Sequence, residues 1–256
     1  MKQYFLKNGF AKMEQIIPLS EVTKLQVLYD ELLNDKKRTA GLRSDLAGEA
    51  TNEKVEKVEK VEKITQIMRP SMIEPQLSQS IVYQAALAKA KTLLGDDMAL
   101  DFDMLINKAP MTNTETPWHQ DAAYWIKMPD KRAVSCWVAL DDVTEATGCM
   151  WFIPKENDDE ILQHFSLPNK GALYCKTNTE NAQCIPLNAG GCTFHDGFTL
   201  HFSKGNTTNN QRRALILNFR PQAMINLERA QGVDHTGDRK VRNKKPKSPK
   251  GATSLT

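Results

Sequence analysis

The chain has 256 residues, of which 40% are hydrophobic and 25% charged, a balance typical of a soluble globular protein, and no apolar run approaches the ~18 residues of a bilayer-spanning helix, so a soluble protein is expected. Five cysteines (Cys136, Cys149, Cys175, Cys184 and Cys192) form an odd set without CxxC spacing, which argues against a zinc knuckle and a disulfide framework and reads as reduced, mostly buried thiols. The net charge of +3 is uneven: "DRKVRNKKPKSPK" (238–250) carries seven basic residues against one acidic, leaving about −3 on the rest.

The N-terminus alternates polar and apolar residues without a continuous apolar core, so no signal peptide is expected and the protein is read as cytoplasmic. Residues 20–34, "SEVTKLQVLYDELLN", space Val22, Leu25, Leu28, Leu32 and Leu33 as an amphipathic helix does, with Ser20 as a possible N-cap. "EKVEKVEKVEK" (53–63) repeats every three residues and so drifts around a helix without building an apolar face; it is expected to be an exposed insertion. A second helix is expected near 79–94, Ala- and Leu-rich and stopped by Gly95.

From "ALDFDMLINKAP" onward the chain changes to short β-rich runs: "RAVSCWVALDDV", "GCMWFIP", "GALYCKT", "AQCIPLN", "GCTFHDGFTLHFS" and "RRALILNFRP", split by Pro, Gly, Asn and Asp. Such runs make a sandwich or barrel, and helices that precede them are expected on one outer face. The expected fold is therefore mainly β with flanking helices, as one domain over 1–235. Its helical part covers about 1–95 and its β core about 96–225. The basic end, 236–256, reads as a solvated disordered tail or a tether to an anionic surface.

Within "PWHQDAAYW" (117–125), His119 and Asp121 stand two apart, so on a strand both side chains share one face and could hold a metal between them. A third ligand is needed. Of the other histidines, His164 falls in a polar stretch, His235 lies beside the basic tail, and His195 stands at a His-Asp-Gly turn that suits exposure or contact with a ligand rather than ligation. His201 closes an alternating run before Ser203 and a Gly-Asn turn and is the better placed. Two imidazoles and one carboxylate that leave sites open form the facial arrangement of non-haem iron(II) oxygenases, whereas four protein ligands would indicate a closed structural zinc site. Arg212 and Arg213, eleven and twelve residues beyond His201, open the last apolar run. A buried arginine there needs an anion and its fork fits a carboxylate; surface charges at a strand end are the other reading.

The segments "MLINKAP", "TPWHQDAAYW", "CWVALDDVTEATGCMWFIP" and "HFSKGNTTNNQRRALILNF", in that order, resemble the phytanoyl-CoA dioxygenase family of iron(II)- and 2-oxoglutarate-dependent oxygenases over about 60–220, with support from "LRSDLAG" and "NGFAKM". The resemblance implies a double-stranded β-helix (jelly roll, cupin-like) core, Fe(II) as cofactor, and 2-oxoglutarate and O2 as cosubstrates. It implies iron ligands His119, Asp121 and His201, and Arg212 on the distal carboxylate of 2-oxoglutarate, with Arg213 if the register differs by one. It also implies 2-oxoglutarate contacts from Ser203, from Trp137 and from the basic Lys63. The implied reaction couples decarboxylation of 2-oxoglutarate to succinate and CO2 with hydroxylation of an aliphatic C–H of a small organic molecule, and retention of Asp121 favours hydroxylation over halogenation.

Gln120, between the ligands, is expected to face away from them. Tyr124 and Trp125 are candidate walls of a substrate pocket; Trp118 and Trp151 suit pocket or core. Two departures from the family pattern, Phe202 after the distal histidine and Lys155-Glu156-Asn157 after "IP", leave the ligands intact and bear on substrate identity. A cupin-like metal-binding protein without turnover would keep the triad and make no use of Arg212. An oxygenase acting on nucleic acid would recruit the basic tail, but the folded part lacks an aromatic-interleaved basic patch.

Overall fold

The computed structural model describes residues 1–48, 62–155, 160–167 and 172–236; most of the three-residue repeat and nearly all of the basic tail lie outside them. In chain order the elements are α1 (Lys2–Asn8), β1 (Phe10–Met13), α2 (Leu19–Asn34), β2 (Arg43–Asp45), β3 (Ile64–Met68), α3 (Pro70–Ile73), α4 (Ile81–Leu94), β4 (Met98–Lys108), β5 (Thr116–His119), β6 (Val134–Ala139), β7 (Met150–Phe152), β8 (His164–Ser166), β9 (Leu173–Cys175), β10 (Gln183–Ile185), β11 (Cys192–Asp196), β12 (His201–Ser203), β13 (Arg212–Pro221) and α5 (Gln222–Ala230). The strands form a seven-stranded sheet, ordered β1-β11-β6-β13-β4-β3-β2, facing a four-stranded sheet ordered β10-β7-β12-β5, with β8-β9 as a separate hairpin. This is the jelly roll.

Side-chain alternation divides the large sheet into two faces. On β6, Val134, Cys136 and Val138 turn outward and join Leu105, Phe194, Leu215 and Leu217 in a core shared with α2 and α4. The alternate residues Trp137, Ala139, Ala214 and Ile216 turn inward and meet Phe10, Met150 and Phe152 between the sheets. Burying each large apolar side chain contributes about 1.5–3 kcal/mol, so the helices are held on the outer face as expected. On α4 the buried residues Val82, Tyr83, Ala86, Ala90 and Leu93 recur at helical spacing, and the helix stops at Gly95, whose φ of 127° suits glycine. On α2 the N-cap is Pro18, so Ser20 lies inside the first turn rather than capping it.

The amino-terminal third is less purely helical than its sequence suggests. It also supplies β1, β2 and β3, all in the large sheet. These strands are short, and β1 and β2 lie at the sheet's two edges, where pairing rather than a long alternating pattern defines them. At the opposite end, α5 is anchored through Asp101 of β4, which pairs with Arg220 and Arg229 while His235 bonds Glu228. His235, next to the tail in sequence, is therefore buried. Burial alone would raise the Asp101 carboxyl, but His235, Arg220 and Arg229 outweigh it and hold it at about 2. Asp101, Glu228 and His235 lie close enough to hold a cation, yet the two guanidiniums already neutralise the carboxylates, so the cluster is a closed ionic knot.

Candidate metal centre

Strand β12 pairs with β5 in a register that sets His201 opposite His119, and opposed residues of an antiparallel pair share a face. Their ring centroids are 4.1 Å apart. Each ring is fixed by the carbonyl two residues earlier: Nδ1 of His119 donates to Pro117 at 2.7 Å, and Nδ1 of His201 to Thr199 at 2.9 Å. A carbonyl oxygen can only accept, so both protons sit on Nδ1 and both Nε2 lone pairs are left for a ligand, the usual arrangement at metal-binding histidines.

Asp121 arrives differently from the expectation. The strand ends at His119, and Asp121 opens a short 3₁₀ turn, Asp121–Tyr124, tied to the β11–β12 bend by the Ala122 N–H donating to Gly197 O at 2.8 Å. Convergence is nonetheless achieved: Oδ1 lies 3.9 Å from Nε2 of His119 and 3.6 Å from Nε2 of His201. Oδ2 faces away, accepting from Ser135 Oγ at 3.0 Å and lying 3.3 Å from Nε2 of His195. Asn218 Nδ2 in turn donates to Ser135 Oγ at 2.9 Å. One carboxylate oxygen and two imidazole nitrogens thus lie within 4.8 Å of one another, and the remaining carboxylate oxygen is spoken for by neighbours.

The charge states suit a divalent metal. Burial lowers the His119 and His201 imidazoles, with His119 adding to the effect on His201, so both favour the neutral form that can ligate. Burial by itself would raise Asp121, but His201 and His195 outweigh it and hold the carboxyl well below its ordinary range.

The triad opens onto a cavity that Arg212, Ser203, Trp137, Gln66, Tyr124 and Trp125 also line. Arg212 is 1% exposed. Its Nη2 lies 3.4 Å from Ser203 Oγ, its guanidinium sits 5.3 Å from the Trp137 ring centroid, and Nε and Nη1 have no partner among the described residues. Burial lowers its pKa to about 10. A fully buried guanidinium with no carboxylate bound to it among the described residues is suited to receive an anion.

Arg213 is excluded from that role by strand alternation. It turns to the opposite face of β13 and pairs with Asp141 and Asp30. Lys63 is likewise misplaced by the resemblance: it is exposed and does not line the cavity, since on β3 the residues facing inward are Gln66 and Met68. From β3 it is Gln66 and Met68, not Lys63, that line the cavity. Gln120 does face away, its side chain bonding Glu160 O, Phe198 O and the Leu162 N–H. His195 is buried in β11 and touches Asp121, so it is not exposed. His164 lies in β8 and accepts the Gln120 N–H through Nε2.

Tyr124 and Trp125 both reach the cavity. The Tyr124 hydroxyl accepts the Leu173 N–H at 2.7 Å. Trp125 lies 3.8 Å from the Arg220 guanidinium and so close over Gly197 that a Cβ there would come within 2.1 Å of its ring. Phe202 stacks on Trp118 at 5.2 Å and lines the cavity mouth, whereas Trp151 lies under Lys204. Of the second departure, Lys155 pairs with Asp196, and 156–157 lie outside the described residues.

Ser135, invisible in the sequence except as the polar residue of "VSCWVA", should matter through Asp121. Ser135→Ala is expected to leave the fold intact and weaken Fe(II) binding about tenfold, measured by competition with a chelator.

A jelly roll whose inner face presents two imidazoles, one carboxylate and a buried anion-seeking arginine is the architecture of 2-oxoglutarate-dependent non-haem iron oxygenases. The profile of the family described as phytanoyl-CoA dioxygenase (PhyH) matches residues 5–214, and the chain belongs to that family. Phytanoyl-CoA dioxygenase domain-containing protein 1 of Danio rerio is 30% identical over 117 residues, 43% of this chain and 40% of that protein. A probable phytanoyl-CoA dioxygenase of Caenorhabditis elegans is 22% identical over 232 residues, 85% of this chain and 73% of that one. Among solved structures, EvdO2 from Micromonospora carbonacea var. aurantiaca, complexed with 2-oxoglutarate, superposes with a TM-score of 0.68 at 27% identity, covering 85% of this chain and 88% of that one. The epimerase SnoN in complex with Fe3+, alpha ketoglutarate and nogalamycin RO shares the fold, with a TM-score of 0.61 at 20% identity over 85% and 81% of the two chains. Among the described residues no helix is long and apolar enough to cross a membrane.

Proposed function

We propose that this chain binds Fe(II) through His119, Asp121 and His201 and hydroxylates an aliphatic C–H of a small organic molecule at the expense of 2-oxoglutarate and O2. The observation that carries the reading is Arg212, a fully buried cation that, among the described residues, has no counter-anion and lines the same cavity as the triad. A metal-binding protein without turnover would have no use for it.

When bound, iron with 2-oxoglutarate and dioxygen supplies the oxidising power, releasing succinate and CO2. The chain supplies the rest. His119 and His201 present neutral Nε2 atoms because their Nδ1 protons are committed to backbone carbonyls. Asp121 presents Oδ1 because Ser135 and His195 engage Oδ2. Arg212 and Ser203 receive the distal carboxylate of 2-oxoglutarate, with Trp137 flanking it, and so fix the cosubstrate's chelating end toward the triad. Tyr124, Trp125, Phe102 and Phe202 wall the remaining space with apolar surface, keeping water from the oxidant and favouring an amphipathic small molecule. Residues 1–235 are read as one catalytic unit and 236–256 as its appendage.

The test is succinate formation from 2-oxoglutarate by the iron-loaded protein in air, followed as candidate substrates are added. Succinate above the metal-free control, rising with a molecule that is itself hydroxylated, is the expected result. Iron-loaded protein that makes none with any addition would contradict the reading.

A further inference from the structure

Lys108 ends β4 and is 0% exposed. Its Nζ donates to three main-chain carbonyls, Ser203 at 2.9 Å, Lys204 at 2.6 Å and Thr114 at 3.2 Å. Three carbonyl acceptors match the three N–H bonds of an ammonium, whereas a neutral amine offers two. Among the described residues Lys108 makes no ion pair within 4 Å; the carboxylate acting on it is that of the exposed Glu115. Its neighbour in the sheet is instead another cation: the β4–β13 register sets Lys108 directly opposite Arg212. Two buried positive charges therefore stand side by side at the end of the cavity where Ser203 meets Arg212. Burial, reinforced by Arg212, lowers the Lys108 pKa well below its ordinary range; the three carbonyl acceptors and a carboxylate arriving at Arg212 favour the ammonium against that shift.

The same lysine is part of the frame around Ser203. Asn206, itself fully buried, donates to Lys108 O at 3.1 Å, so the bend after β12 is latched to Lys108 through both its side chain and its main chain. Lys108 does not line the cavity; it acts from behind the bend. A carboxylate arriving at Arg212 would meet the field of two cations through a medium that screens poorly, and a methyl group in its place would leave both uncompensated.

We propose that Lys108 is a specificity-determining residue for the cosubstrate, its charge joining that of Arg212 to select a 2-oxo acid ending in a carboxylate over one ending in a methyl group. This rests on the oxygenase reading above. The residue is a positioning and field-setting group, not a contact of the ligand.

The experiment compares 2-oxoglutarate with 2-oxopentanoate, which has the same chelating head and chain length but a methyl end, by anaerobic calorimetric titration of the Fe(II)-loaded full chain. Lys108→Gln keeps two donors for the carbonyls and removes the charge; Lys108→Met removes both and Lys108→Arg keeps the charge. The Gln variant is expected to raise the Kd for 2-oxoglutarate about tenfold and that for 2-oxopentanoate by less than about twofold, with the Arg variant retaining most of the selectivity. If the Met variant does not fold, the Gln variant still decides. Unchanged 2-oxoglutarate affinity in the Gln variant would overturn the inference, as would equal weakening of both acids, which is what a purely structural lysine produces. Wild-type protein that binds iron and neither acid would instead overturn the oxygenase reading, and this inference with it.

Discussion

His201→Ala is expected to weaken Fe(II) binding by about a hundredfold or more, while His195→Ala weakens it about tenfold. The two histidines are close neighbours, with ring centroids 4.6 Å apart, and both approach Asp121. What separates them is the other nitrogen. His201 Nδ1 donates to Thr199 O, which leaves Nε2 bare toward the shared point with His119 and Asp121 Oδ1. His195 Nε2 faces Asp121 Oδ2 and its Nδ1 has no partner among the described residues, so it steadies a ligand rather than being one. Anaerobic Fe(II) titration of the purified variants measures both effects. Equal losses would mean that His195, not His201 alone, completes the site.

The two adjacent arginines should behave in opposite ways. Arg212→Met removes a buried cation that has no anionic partner among the described residues, so the folded chain should be as stable as the wild type or more so, while its Kd for 2-oxoglutarate rises by about a hundredfold, the scale of a lost charge-assisted bidentate contact. Arg213→Met removes a partner from Asp30 and Asp141. Because Asp30 is half exposed, the loss should be about 1–2 kcal/mol of stability, with 2-oxoglutarate affinity unchanged. Denaturant unfolding and ligand titration on the same preparations check both. Loss of 2-oxoglutarate binding in the Arg213 variant alone would assign the carboxylate contact to the wrong residue.

Much of this was legible in the sequence because it rests on local pattern. The alternating runs that became β6, β11, β12 and β13 announced themselves, and so did the helices Leu19–Asn34 and Ile81–Leu94. His119, Asp121 and His201 could be picked out because ligand chemistry restricts residue type. The hidden parts depend on which strand lies beside which. Lys108 gains its meaning only from being opposite Arg212, and Ser135 only from its hydrogen bond to Asp121. Nothing within "NKAP" or "VSCWVA" marks either.

The errors have the same origin. Lys63 sits just outside β3 on the wrong parity, and the inward residue is Gln66. Nothing in the sequence beside the tail signals that His235 is buried against Glu228. Asp121 reached the expected place by an unexpected route, from a 3₁₀ turn rather than the strand face.

The measurement that bears most directly on the central claim is an anaerobic titration of the Fe(II)-loaded wild-type chain with 2-oxoglutarate, followed by visible absorption. Chelation of the cosubstrate beside the triad, with its far carboxylate on Arg212, should produce a weak charge-transfer band that saturates at one equivalent. Iron bound at full occupancy with no band and no affinity for 2-oxoglutarate would contradict the account and leave a metal-binding protein in which Arg212 serves some other anion.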